Sequence, residues 1–447
     1  MDHASVSALE AFVQQFVKKE KVPGLSIGIS RNGETIYQKG FGVTDLGTNQ
    51  PVTPETIFGI ASVTKSFTAA AIMLLVAEGK LSVEDPIRSY LPDLQGKGNI
   101  HTDKITIHHL LSHTSGVPPL LRREELTKLP EHIAYLNEVQ FAPLGVPGEY
   151  ISYSNDMFLL LGAIIERVTG QRYRTYVTER LLAPLEMNRS TYNLEEVARF
   201  SDVSVPYVKG EEQQLKKVPW PTLGNYEVGG GIRSCVVDLL KYGQLYINAG
   251  RYKEKQVADE ASLRAMWQPV HRLTKDAWYG YALKTTPNYA GITLVEHGGG
   301  QPGVSSNFGF VPEKGLVVTV LSNLENVPIR NVWLAAVNAA LGLPLAHKED
   351  EAPLYAPTRE ELEKLVGTYT SMEGGRLRLF LREDAPVAEV AGMEYELRAS
   401  SHDTLIDVQN GQPLRFFFKK QQQAWAVLMG LRMLCRSENK FETDFHK

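Results

Sequence analysis

Cysteine is nearly absent from the 447-residue sequence. Cys235 and Cys435 are the only two, and 200 positions separate them. That pattern excludes a disulfide framework, a C-x-x-C redox pair and a cysteine zinc site. It suits a reducing compartment. Long apolar runs are missing too. The most apolar stretches, Phe67–Val76 and Met157–Ile165, fall short of the ~18 residues that a spanning helix needs, and read as buried core helices. The N-terminus has no basic segment leading into an apolar one, so it does not read as a signal peptide. The expectation is a cytoplasmic protein with no membrane partner. Charge of one sign is also lacking. The 47 Lys+Arg and 51 Asp+Glu leave a net charge of −4, which gives no basic footprint for nucleic acid. The 43% hydrophobic and 22% charged content is that of a globular chain, which excludes disordered and fibrous classes.

Apolar residues at Val6, Leu9, Phe12, Val13, Phe16 and Val17 predict a helix over 5–18. Leu25–Ser30 and Glu34–Phe41 read as strands joined at Asn32-Gly33, a strong hairpin signal. Helices are predicted over 62–79, 155–168, 172–183 and 235–249. Strands follow at Gly280–Lys284, Thr293–His297, Asn307–Val311 and Leu316–Ser322, and then a helix at Val332–Ala340. Strands at both ends and helices between them predict an α/β (α+β) domain over 1–342: an antiparallel sheet flanked by helices. Pro344, Pro353, Pro357 and the acidic run at 348–351 mark a linker over 343–358. Beyond it, eight short strand patterns between Leu365 and Cys435 predict a small antiparallel barrel over 359–447.

Three local patterns carry chemistry. Ser62 and Lys65 are spaced i, i+3, so they share a helix face. A serine hydroxyl needs a base, and a lysine kept in apolar surroundings is able to act as one. The apolar run after Lys65 would bury it. Tyr153 and Asn155 stand at the start of the apolar helix 155–168. Here a phenol is placed to relay a proton and an amide both donates and accepts. Taken alone, Asn155 reads equally as a helix cap. His297-Gly298-Gly299-Gly300 ends a predicted strand, where glycines let the backbone approach a ligand. His108, His109 and His113 lack an H-E-x-x-H pattern and a third ligand, so no metal is expected. No dinucleotide or phosphate-binding glycine motif appears, and no cofactor is expected.

In order and rough separation, Ser62-x-x-Lys65, Tyr153-x-Asn155 and His297-x-Gly299 resemble the three motifs of the serine β-lactamase and penicillin-binding protein superfamily. The likeness is greatest to the Y-x-N, H-x-G branch of class C β-lactamase-like esterases, D-aminopeptidases and D-peptidases, and it covers roughly residues 5–342. The phrases His108–Gly116, Pro147-Gly148 and Gly229–Ser234 add to it. The resemblance implies an all-helical subdomain and an acyl-enzyme formed on Ser62. It implies that Lys65 and Tyr153 share acid–base work, either one taking the serine proton, and that Asn155 orients substrate. It gives His297 a substrate-orienting place and puts the oxyanion hole at the backbone N–H groups of Ser62 and Gly300. His297 stands where penicillin-recognising relatives carry lysine. A mostly neutral imidazole pairs less well with a substrate carboxylate, which favours small peptides or esters over β-lactams. A slow-acylating penicillin-binding or sensor protein, or a weak β-lactamase, is the competing reading. The C-terminal segment resembles the lipocalin-like barrel of some relatives, where it shapes the cleft or builds a homo-oligomer.

Overall fold

The computed structural model describes residues 1–96, 100–210, 213–348, 352–419 and 423–437. Residues 349–351 of the linker and 438–447 of the barrel segment therefore lie outside the described residues.

The chain opens with the helix His3–Glu20. The Asp2 carboxylate caps it by accepting from Ser5 N at 2.7 Å, and Lys18 and Lys19 occupy the last turn, where cations suit the helix dipole. The hairpin Gly24–Arg31/Glu34–Asp45 turns at Asn32 (φ 50°) and Gly33 (φ 86°). This is the doubly positive geometry that matches strand twist.

These strands enter a nine-stranded sheet whose successive neighbours are His271–Arg272, Trp278–Tyr279, Lys284–Tyr289, Ile292–Gln301, Val304–Val311, Leu316–Ser322, Gly24–Arg31, Glu34–Asp45 and Gln50–Pro51. Every pairing is antiparallel. Leu316–Ser322 is buried along its whole length, because both faces of the sheet are covered. On one face lies the helix Val236–Ile247, with Leu239, Leu240 and Tyr242 in a core shared with the helical region. On the other lie His3–Glu20 and Ile329–Leu341, where Trp333 donates to Val318 O at 2.9 Å.

Several strand boundaries differ from expectation, two of them next to the site. Ala282 adopts φ 53°, which interrupts an extended chain, so the strand predicted at 280–284 begins at Lys284 instead. The strand expected to end at His297 runs through the glycines to Gln301, because Gly299 and Gly300 stay in register with Ser306 and Ser305. The turn comes at Gly303 (φ 74°).

The C-terminal strands, from Gly367–Thr370 to Arg432–Arg436, form a closed eight-stranded barrel. The first pairs with the last through Tyr369↔Arg436 and Thr370↔Cys435. Tyr369, Leu377, Leu379, Leu405, Phe416, Val427 and Leu434 pack together in its core. The barrel docks on the sheet domain through a separate apolar cluster. Ala426, Leu428 and Met433 meet Leu144, Ile151, Leu273 and Tyr279 there. Among the described residues no helix is long and apolar enough to cross a membrane.

Candidate active site

Ser62 lies in a short 3-10 turn, Ala61–Val63, and the α-helix Thr64–Ala77 starts two residues after it. Ala61, immediately before it, has φ 45°, a conformation that costs a non-glycine residue about 1–3 kcal/mol and has to be enforced by its surroundings. The restraints are visible: Ile60 N donates to Ile232 O at 3.1 Å, and Ser306 Oγ donates to Ile60 O at 2.7 Å. Gly299 presses on the same turn. A Cβ there would stand 2.4 Å from Ile60 O and 3.0 Å from Ser62 N. At Gly300 a Cβ would meet nothing within 4 Å, so this glycine faces open space.

Lys65 is 1% exposed. Its Nζ donates to Asn155 Oδ1 at 2.9 Å and to Gly229 O at 3.0 Å. It also lies 4.8 Å from the Tyr153 ring centre and 5.4 Å from that of Phe158. Neither hydrogen-bond acceptor carries charge. Burial drives the Lys65 ammonium well below its ordinary range, and the cations Arg432 and Arg122 push it the same way against an opposing pull from Glu373. In its free-base form the amine would have two N–H bonds engaged and a lone pair left over. Gly229 makes room for it: a Cβ there would come 2.6 Å from Nζ.

Ser154 caps the helix Asn155–Thr169, its hydroxyl accepting from Met157 N at 3.3 Å. Asn155 is thereby freed from capping, and its amide bridges Lys65 and Glu373. Tyr153 is buried, and its hydroxyl has no hydrogen-bond partner that meets normal geometry among the described residues. Burial pushes the phenol up to about 12, and the strongest opposing influence is the neighbouring Ser62 hydroxyl. The ring packs at a tilt of 31° against His113, with centroids 4.1 Å apart. His113 Nδ1 accepts from Ser154 N at 3.3 Å.

His297 stands behind Tyr153, with ring centres 6.4 Å apart. Burial, with Lys65 adding to it, lowers its imidazole to about 4, so the ring is neutral near pH 7. Its Nδ1 lies 2.6 Å from Gly298 O and its Nε2 3.0 Å from the Tyr279 hydroxyl. A carbonyl only accepts, so Nδ1 carries the proton and Nε2 accepts from Tyr279. Both ring nitrogens are thus engaged within the protein.

The structure brings Ser62, Lys65, Tyr153, Asn155 and the His297–Gly300 strand together. It also adds groups to which sequence reading gives no role. Gly229 supplies a carbonyl and a vacancy. Glu373 and Arg432 reach in from the barrel, and Arg432 Nε donates to Glu373 Oε2 at 2.6 Å. Of the three histidines considered for metal, His108 pairs with Tyr281, His109 with Thr106 and His113 with Ser154. Among the described residues no cluster of three His, Cys, Asp or Glu side chains is placed to hold a metal ion.

Comparison with known proteins places the chain in a family. The chain is 35% identical over 193 residues to Protein flp of Staphylococcus aureus strain MW2, a match covering 42% of this chain and 38% of that one. The chain thus spans well under half the length of that relative. It is 26% identical over 346 residues to a beta-lactamase of Pseudomonas fluorescens, covering 72% of this chain and 93% of that protein. Its structure superposes on the octameric penicillin-binding protein homologue from Pyrococcus abyssi with a TM-score of 0.72 and 30% identity, over 98% of this chain and 100% of that one. The family described as Beta-lactamase matches residues 9–341, and the chain belongs to that family.

Proposed function

We propose that the protein is a serine hydrolase that forms an acyl-enzyme on Ser62. Its substrates are small peptides, those containing D-amino acids included, or carboxylic esters. The observation that carries this reading is the state of Lys65: a fully enclosed amine whose two hydrogen-bond acceptors are uncharged, three residues from a half-buried serine. A solvated or salt-bridged lysine would keep its proton and have none to accept.

In the proposed cycle Lys65 Nζ takes the Ser62 proton as Oγ attacks the substrate carbonyl. The oxyanion is received by the N–H groups of Ser62 and Gly300, with Gly299 holding the strand against the Ser62 turn. Tyr153 keeps its proton at neutral pH and hands it toward the leaving amine or alkoxide, recovering one from Lys65. Water then attacks the ester and the same relay runs in reverse. Asn155 orients both Lys65 and substrate. With His297 neutral and tied up, a substrate carboxylate finds no cation on that strand, which favours esters and peptides over β-lactams. Self-association into a homo-oligomer is part of the proposal, since the Pyrococcus homologue is octameric.

Intact mass after incubation with a fluorophosphonate, run beside p-nitrophenyl ester turnover, tests the reading for wild type and Ser62→Ala. The expected result is a single adduct and repeated turnover in wild type, with neither in the variant. Equal labelling or turnover in Ser62→Ala refutes it, and a permanently retained acyl group in place of turnover favours the sensor.

A further inference from the structure

The barrel does more than adjoin the site. Residues on either side of Arg432 are bonded to residues on the catalytic loop. Leu431 O accepts from Tyr153 N at 2.7 Å, and Met433 N donates to Ser152 Oγ at 3.1 Å. With both neighbours pinned, the Arg432 guanidinium comes to rest 5.0 Å from the Tyr153 ring centre. Lys65 Nζ is 4.8 Å from that same centre, so the two basic groups lie within about 10 Å, roughly one Debye length at 0.1 M salt. A hydrogen-bonded chain also links them: Lys65 to Asn155 Oδ1, Asn155 Nδ2 to Glu373 Oε1 at 3.4 Å, and Glu373 Oε2 to Arg432 Nε.

We propose that Arg432 and Glu373 of the barrel are positioning residues of the catalytic centre, the permanent cation of Arg432 holding the proton acceptor in its free-base form and Glu373 limiting that effect. A guanidinium stays charged at any working pH. Its field disfavours a second cation on Lys65 and favours a phenolate on Tyr153. The sign is thus the same whichever of the two takes the serine proton. The ordering of charges at Lys65 and Tyr153 agrees, with Arg432 the largest charge acting on each.

Among the other groups facing the site, Arg122 acts on Lys65 in the same direction as Arg432 but ranks below it, and the rest do not compete for this role. His113 and His297 are held neutral by burial. Asp156 is engaged by His132 and the Tyr226 hydroxyl. Arg122 packs over the Tyr226 ring and pairs with Glu124 at 2.7 Å. Tyr279 remains a neutral phenol, its hydroxyl bonded to His297.

The inference rests on the hydrolase reading, and two measurements on the full-length protein separate them. One is kcat/KM for p-nitrophenyl acetate against pH. The other is the ionisation of Lys65 followed by NMR of isotope-labelled lysine ε-carbons, with Lys65→Met supplying the assignment. In Arg432→Gln the acidic limb and the Lys65 titration both move up by about one pH unit, as expected for a unit charge at this range in a partly screened site. In Glu373→Gln both move down, and Arg432→Lys stays near wild type. An unmoved Lys65 titration in both Arg432→Gln and Glu373→Gln overturns the proposal. So does a shift in Arg432→Lys as large as that in Arg432→Gln, which would assign the effect to shape and not charge. A wild type that turns over no ester counts against the Ser62 reading alone, and the Lys65 titration still decides this one.

Discussion

Gly229→Ala isolates the placement of Lys65 from the rest of the site. Gly229 sits in the short helix Glu227–Gly230 and is not among the glycines with positive φ, so alanine fits the backbone. The cost is space. The added methyl would stand 2.6 Å from Lys65 Nζ and 3.2 Å from Cε, whereas relaxed carbon contacts need about 3.5 Å or more. The lysine tip therefore has to retreat by somewhat under 1 Å, away from its bonds to Gly229 O and Asn155 Oδ1. A misplacement near 1 Å costs roughly a hundredfold in rate. The fold itself is spared. Two weakened hydrogen bonds cost at most about 1 kcal/mol each, and alanine offsets about 0.4–1 kcal/mol of that by restricting the unfolded chain. The assay is kcat/KM for a p-nitrophenyl ester alongside the urea midpoint. The expected result is a hundredfold loss of rate with the midpoint nearly unchanged. Wild-type turnover would show that the position of Lys65 does not govern the chemistry. A collapsed midpoint would show that Gly229 serves the fold.

Tyr153→Phe removes a buried hydroxyl without a protein partner, so activity should fall by about 10²–10⁴ while the melting temperature holds or rises, because an unsatisfied buried group costs about 1–3 kcal/mol; a large drop in melting temperature would contradict this. Burial pushes the Glu296 carboxyl up, but Arg330 and Lys284 outweigh it and hold it at about 2. A carboxyl depressed in the folded state adds stability above its ordinary value near 4.5 and loses it as pH falls toward 2; urea midpoints measured across that window should decline, and less steeply in Glu296→Gln. Gly243→Ala drives a methyl to within 2.2 Å of Val317 Cγ1, overpacking the helix–sheet contact by about 1–3 kcal/mol, and the denaturation midpoint should fall while kcat of the folded protein stays unchanged.

The parts legible in the sequence are those fixed by short-range physics. Asn32-Gly33 names its own turn. The alternation Arg376–Arg382 matches a barrel strand residue for residue. Ser62 and Lys65 are near neighbours on one rigid segment, so their spacing already implies their meeting. Other elements leave no such mark. Leu129–Glu138 starts at Leu129-Pro130 and buries only Leu129, His132, Ile133 and Leu136, too thin an apolar stripe to stand out. The strand placed at 280–284 reads well by composition, and the reason it fails is the positive φ of Ala282, imposed where its N–H bonds to Leu111 O across the domain.

Glu373 and Arg432 illustrate a deeper limit. Both lie in a segment whose pattern specifies strands and nothing more, and Asn155 is 218 positions from Glu373. Their meeting depends on how a closed barrel docks, through Leu428 and Met433 against Ile151 and Tyr279. That docking surface and the loop that carries Tyr153 are the same stretch of chain: Ile151 is in the apolar contact, Ser152 and Tyr153 bond to the barrel backbone, Ser154 caps the next helix and Asn155 holds Lys65. Five consecutive residues thus join barrel placement to lysine placement. A shift of the hairpin around Gly430 would reach Tyr153 directly, through the bond from Tyr153 N to Leu431 O. The barrel is accordingly a structural wall of the site, although its own sequence carries no catalytic motif.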